Sequence, residues 1–255
     1  MKGERTASRR AMVAALLGAV ALGAPAAADA GPVDRLRDSL ARRSGGQVAG
    51  PPVARFVSEE GRVFVLDRTQ PTPMLKFEDS PEVWVLAPSP APRGDVIYKD
   101  ELGEPVLRAT RLGGLTLFSD ERPNGEAVSL AGGGFPLRLA PLSPGALGER
   151  LLQASYRSGR VARRTIVFEA RRVTPAGSAL VGDAALVTSL AFIRMAAERR
   201  GGRSVFGQFN IVRFEEGKKP TVTLKDGVLR IVVAPSQGLA GRPSSKRIMQ
   251  VAAGR

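Results

Sequence analysis

The 255-residue chain contains no cysteine and no histidine. Without cysteine it can hold no disulfide, thiolate nucleophile, iron–sulfur cluster or cysteine-ligated zinc. That absence says nothing about compartment, because an oxidising envelope permits disulfides without requiring them. Without histidine the chain lacks the usual general base near neutral pH and the commonest metal ligand. Ser-His-Asp catalysis is therefore excluded outright. Aromatic residues make up only 5%, and few interleave with the basic residues to stack bases, which argues against nucleic acid. No complete catalytic motif survives, and neither a cofactor nor a metal site is expected.

The composition is otherwise that of a folding chain. Hydrophobic residues are 43% and charged residues 24%, ordinary for a globular protein. Residues 1–30 read as a cleavable export signal. Lys2, Arg5, Arg9 and Arg10 make a positive start, 11–22 an apolar run, and Ala28-Asp29-Ala30 a small-x-small cleavage site. A run of about a dozen residues is too short to cross a hydrocarbon core of about 30 Å. Cleavage near Ala30 would thus leave no transmembrane anchor and a periplasmic or secreted product. Ser8-Arg9-Arg10-Ala11-Met12-Val13 also has the form of a twin-arginine signature. The plainer alternative is two chance arginines in an arginine-rich leader.

The mature chain divides by pattern. Residues 31–52 form a flexible leader, with Val33, Leu36 and Leu40 on one helical face before Ser44-Gly45-Gly46 and Pro51-Pro52. From 53 to 141 short apolar runs alternate with turn residues, predicting antiparallel strands at 54–58, 62–67, 82–87, 95–98, 105–111, 115–119 and 127–130. A small sandwich or open barrel follows from that pattern, with the proline-rich 88–92 as an edge or surface crossing. Residues 142–255 are predicted as a basic unit of two helices and a hairpin-based sheet. Ser143-Pro144 is a helix start. The helix from 178 to about 200 is apolar on nearly every side and so belongs in a core. Strands are predicted at 205–214, 221–225 and 228–234, the last two joined by Asp226-Gly227, a strong hairpin signal. The fold class is α+β, and the two units either share one core or build two.

Charge is distributed unevenly. The formal net charge is +14, and 31 of the 38 basic residues are arginine. Residues 31–141 carry 14 basic and 15 acidic side chains, whereas 142–255 carry 20 and 7. The densest cluster is Arg150, Arg157, Arg160, Arg163, Arg164, Arg171 and Arg172, against only Glu149 and Glu169. If these converge, they would attract an anionic envelope component: lipid phosphate, lipopolysaccharide or an acidic glycan. The bland alternative is a solvated helix face, with one arginine pairing Asp183.

Other motifs fail on inspection. Ala234-Pro235-Ser236-Gln237-Gly238 is one residue from a nucleophile elbow but has no base, so it reads as a turn. Ser244-Ser245-Lys246 lacks the S-x-x-K spacing. Gly132-Gly133-Gly134 is followed by Phe135-Pro136-Leu137 rather than a helix, so it reads as a loop and not a phosphate cradle. Two carboxylates alone could run glycan cleavage, with Glu59, Glu60, Asp79, Glu82, Asp95, Glu101, Asp120 and Glu121 available, but acidic residues are common at turns. The readings are thus a non-catalytic binding or accessory protein, a carboxylate-dependent glycan-cleaving enzyme, or a structural interaction module with an apolar patch on the β half.

Two stretches, PEVWVLAPSPAPRGDVIYKDELGEPVLRATRLGGLTLFSDERPNG at 81–125 and APSQGLAGRPSSKRI at 234–248, carry a family likeness. With the leader and the buried helix, they resemble an uncharacterised family of exported bacterial proteins, the domain of unknown function 4908, over about 53–248. The resemblance implies no activity, cofactor or site residue.

Overall fold

The structure, a computed structural model, describes residues 50–197 and 204–254. The predicted export signal and nearly all of the leader lie outside the described residues.

The N-terminal half is a nine-stranded antiparallel sheet, β1 (Val53–Ser58), β2 (Val63–Asp67), β3 (Met74–Phe77), β4 (Val83–Val85), β5 (Ala87–Pro90), β6 (Val96–Lys99), β7 (Pro105–Ala109), β8 (Leu115–Leu117) and β9 (Glu126–Gly133). Their spatial order is β4-β3-β2-β1-β9-β8-β7-β6-β5. The two edge strands are thus consecutive in the chain, with Leu86 alone between them. A twisted sheet whose edges are joined by one residue curls on itself, and the result is a nearly closed barrel rather than a sandwich. Alternation places Ala54, Phe56, Phe64, Leu66, Leu107 and Leu117 in its interior. Register adds an aromatic ladder: Phe56 pairs with Phe64 and Phe64 with Phe77. Ring centroids are 5.6, 5.7 and 5.8 Å apart from Phe56 through Phe64 and Phe77 to Trp84, the spacing at which cross-strand aromatic pairs stabilise a sheet.

This half matches the sequence reading in its edge and departs from it in detail. The single strand predicted at 82–87 is split at buried Leu86 into β4 and β5. The proline-rich segment is an edge strand, one of the two places expected for it, where missing N–H groups face no partner. Strand β3 lies between proline and acidic turns and is too short for alternation to reveal. Gly132 and Gly133 belong to β9, paired with Arg55 and Ala54, so they are not a free loop.

The C-terminal half contains α1 (Pro144–Ala162), β10 (Val167–Arg171), α2 (Ser178–Ala197), β11 (Ile211–Glu216), β12 (Thr221–Lys225), β13 (Val228–Val233) and α3 (Ser245–Ala252). The Ser143 hydroxyl accepts a hydrogen bond from Ala146 N at 3.2 Å, with Pro144 in the first turn, as the sequence signal requires. The sheet order is β10-β11-β13-β12. Its first three strands are parallel, and β12 is joined antiparallel to β13 through Asp226 and Gly227, both at positive φ. The hairpin is therefore only part of a mixed sheet. Strand β10 and helix α3 were not legible as separate elements. The predicted strand at 205–214 is a 3-10 turn (Ser204–Gln208) leading into β11. The core gathers Phe168, Phe192, Phe206, Phe209 and Phe214 around α2, which is apolar and long enough to cross a membrane but is packed mostly inside the fold.

A line of buried charge runs between the two halves. Arg242, 4% exposed, pairs through Nε with Asp183 of α2, 5% exposed. Its Nη2 donates to the carbonyl of Val83 on β4 at 2.7 Å and its Nη1 to Pro243 O at 3.3 Å. The partner of Asp183 is thus Arg242, and no arginine of the 150–172 cluster. Beside it Glu82, 2% exposed, accepts from Ser245 N at 2.9 Å, from the Ser245 hydroxyl at 2.7 Å and from Arg194 Nη1 at 2.9 Å. Removing one partner of such a buried pair strands the other charge, at a cost of about 3–5 kcal/mol. Asp183→Ala should therefore destabilise the protein by about that much in urea unfolding. Asp183→Leu combined with Arg242→Met should recover most of the loss; a single variant as stable as the wild type would contradict this account of the seam.

Candidate functional site

A cleft of about 720 Å³ opens between the two halves. One wall comes from the C-terminal half: Pro175 and Ala176 follow β10, Ala179 and Leu180 open α2, and Pro235–Ala240 follow β13. Because β10, β11 and β13 are parallel, this wall stands at their carboxyl ends, where open α/β sheets commonly bind ligands. The opposite wall is the β2–β3 connection, with Gln70, Thr72 and Met74, together with Val85 and the linker residues Leu137–Leu139. The segment 234–241 can double back here because residue 241 is glycine. The backbone carbonyl of Ala234 lies 1.9 Å from where a Cβ would stand, and the Gly241 carbonyl accepts from Ala234 N.

The cleft lining is largely apolar, with Gln70, Thr72, Arg138, Ser236 and Gln237 as its polar members. Among the described residues, no Asp or Glu lines it. That composition suits a small molecule held by a few oriented hydrogen bonds.

Asp67 fixes the cleft's linker wall. At the end of β2 and fully buried, its carboxylate accepts from Thr69 N at 2.8 Å, Thr69 Oγ1 at 2.6 Å and Leu137 N at 2.8 Å. Burial pushes the Asp67 pKa up, but the Thr69 and Leu137 hydrogen bonds and the nearby Arg138 charge outweigh it, and the net shift is downward. A carboxyl held below its unfolded value of about 3.9 contributes stability that is present above that pH and lost as pH falls through the lower folded value.

A second cavity of about 200 Å³ adjoins the buried charges and is lined by Glu82, Trp84, Asp100, Glu101, Arg242, Ser245 and Lys246, among others. Its carboxylates are already engaged. Glu82 is held as described, Asp100 accepts from Leu102 N, Glu104 N and Lys246 Nζ, and Glu101 accepts from Ser244 N at 2.6 Å. Partial burial draws the Lys246 pKa down, but the carboxylates of Glu104 and Asp100 more than compensate and hold it above its usual value. Lys246 is therefore a charged tether stacked 5.4 Å from the Trp84 ring centroid, the opposite of a neutral lysine base. The two-carboxylate glycosidase reading gains nothing from either cavity. Among the described residues, no group of three or more carboxylates gathers to hold a cation.

The arginines singled out in the sequence fall into two groups. Arg157 and Arg160 lie exposed on the last turns of α1, Arg163 is its left-handed C-cap, and Arg164 follows, donating to Phe206 O at 2.8 Å. Arg171 and Arg172 lie at the far end of β10, roughly 16 Å away for a five-residue strand. Arg171 Nε is 3.3 Å from Glu169, whose carboxylate Arg213 also binds at 2.5 Å. Arg150, nearer the start of α1, packs by its stem beside Gly182 of α2. Among the described residues, none of Arg157, Arg160, Arg163 or Arg164 forms an ion pair. Three or four cations at a helix C-terminus also favour the helix itself, so part of their role is structural. On the β half the exposed large hydrophobics are Leu112, Leu130 and Phe135.

A family model described as a domain of unknown function (DUF4908) matches residues 35–252. No curated protein and no solved structure matches the chain.

The Asp67 contacts predict a specific acid sensitivity. Asp67→Asn should cost about 1–3 kcal/mol at pH 7 and should flatten the loss of stability between pH 4 and pH 2, as read by urea midpoints at each pH. An unchanged pH profile would rule out Asp67 as a source of that sensitivity.

Proposed function

The chain belongs to the DUF4908 family, and from that premise we propose that it is an exported, non-catalytic binding or accessory protein that meets an anionic envelope component through its arginine-rich C-terminal half. The observation that carries this reading is the group Arg157, Arg160, Arg163 and Arg164, four cations within eight residues and without an ion pair among the described residues. Such a group raises the local concentration of a polyanion, with strong salt dependence. The sequence of residues 1–30, read as an export signal, fits this proposal, since export would deliver these arginines to the phosphates and carboxylates of the envelope. Arg171 and Arg172 form a separate, partly neutralised site at the other end of β10.

Arg157→Glu, Arg160→Glu and Arg163→Glu together, sparing Arg164 because it braces Phe206, should abolish salt-sensitive retention on immobilised lipopolysaccharide or peptidoglycan. The thermal midpoint should fall little. Retention that survives the triple change would end the proposal.

The cleft favours a second reading, a small apolar ligand taken up between the halves. The dye 1-anilinonaphthalene-8-sulfonate should bind saturably, and Ala176→Trp, at an exposed position on the cleft wall, should abolish binding. Dye fluorescence indifferent to that substitution would remove this reading.

A further inference from the structure

Helix α1 buries Leu147, Ala154 and Ser158. Its solvent side is not uniformly polar: Leu152 is 72% and Tyr156 66% exposed. Separated by four residues, they stand about 5–6 Å apart on one stripe. Arg160 continues the stripe one turn on, its guanidinium carbon 5.9 Å from the Tyr156 ring centroid. The neighbouring Ser155 hydroxyl, on the flank of the helix, donates to Ile166 O at 2.6 Å, which ties that flank to the segment just before β10, where Val167 is also exposed. The exposed surface therefore joins an apolar pair to Arg157, Arg160, Arg163 and Arg164, with Glu149 the one acidic residue of α1.

We infer that this face of α1 docks on an anionic lipid bilayer, with Leu152 and Tyr156 entering the interfacial layer and the arginines pairing lipid phosphates. The inference rests on the anion-binding reading and deepens it by naming the surface. Charge complementarity selects a polyanion, and the apolar pair selects among polyanions. A soluble acidic glycan or free phosphate would engage the guanidinium groups and leave Leu152 and Tyr156 in water. A bilayer takes both, since binding there grows with buried apolar area and with attraction to anionic headgroups. Tyrosine suits the boundary because its ring is apolar and its hydroxyl stays hydrated.

The test uses the chain from residue 31, the form that leader removal would leave, with vesicles of phosphatidylglycerol or of phosphatidylcholine and with heparin as a soluble polyanion. The protein should sediment with phosphatidylglycerol vesicles and stay in solution with phosphatidylcholine. Leu152→Ala with Tyr156→Ala should lower vesicle partitioning about tenfold and leave heparin retention unchanged. Each Arg→Glu change should weaken both, by at least about fivefold per arginine at the bilayer. Leu152→Trp gives an independent readout, a blue shift of emission on adding phosphatidylglycerol vesicles. Heparin retention without vesicle binding, or vesicle binding indifferent to the apolar pair, would overturn the bilayer inference while leaving the anion reading intact. Loss of both kinds of retention in the unmodified protein would sink the anion reading itself.

Discussion

The buried guanidinium of Arg242, paired with Asp183 of its own half and bonded to Val83 O of the other, is the constraint on which the two halves depend. Neither charge is tolerable alone in a dry interior. The guanidinium is satisfied only if α2, strand β4 and the turn at Pro243 arrive together, because it takes one partner from each. Glu82 repeats this logic with Ser245 and Arg194. Directional, mutually dependent contacts of this kind fix how a barrel edge sits against a helix more narrowly than apolar burial, which is indifferent to small slides.

The cleft follows from that fixed approach. Apolar residues from both walls, Met74, Val85 and Leu137 on one side and Leu239 on the other, gather in one small hydrophobic cluster apart from the larger cores of the two halves. The carboxyl ends of three parallel strands leave loops there rather than packed side chains, and the Asp67 hydrogen bonds hold the linker opposite. A concave surface results where two packed bodies meet without filling the space between them.

Electrostatic roles divide cleanly by burial. Of the seam cations, Arg194 and Lys246 are matched by carboxylates of the other half, and Arg242 pairs with Asp183 of its own half while donating across the seam to Val83 O; all three serve cohesion. The arginines at the end of α1 are exposed and lack such partners among the described residues, so their field reaches solvent. Among the described residues, the positive charge of the C-terminal half thus includes cations engaged at the seam and exposed cations, those at the end of α1 among them, that form no ion pair.

Much of the architecture was written in local pattern. Alternation and turn residues marked most barrel strands, Ser143-Pro144 marked the start of α1, the all-round apolarity of 178–197 marked α2 as buried, and Asp226-Gly227 marked the last hairpin. These signals act over a few residues, so a linear chain carries them in full. The choice of barrel over sandwich, the parallel pairing of β10, β11 and β13, and the marriage of Arg242 to Asp183 across 59 positions depend on residues distant in the chain meeting in space. The same holds for the arginines: sequence gathered seven of them, and only the fold divided them, because a rigid strand stands between Arg164 and Arg171. Composition settled which chemistry was absent; packing decided which of the remaining charges face water.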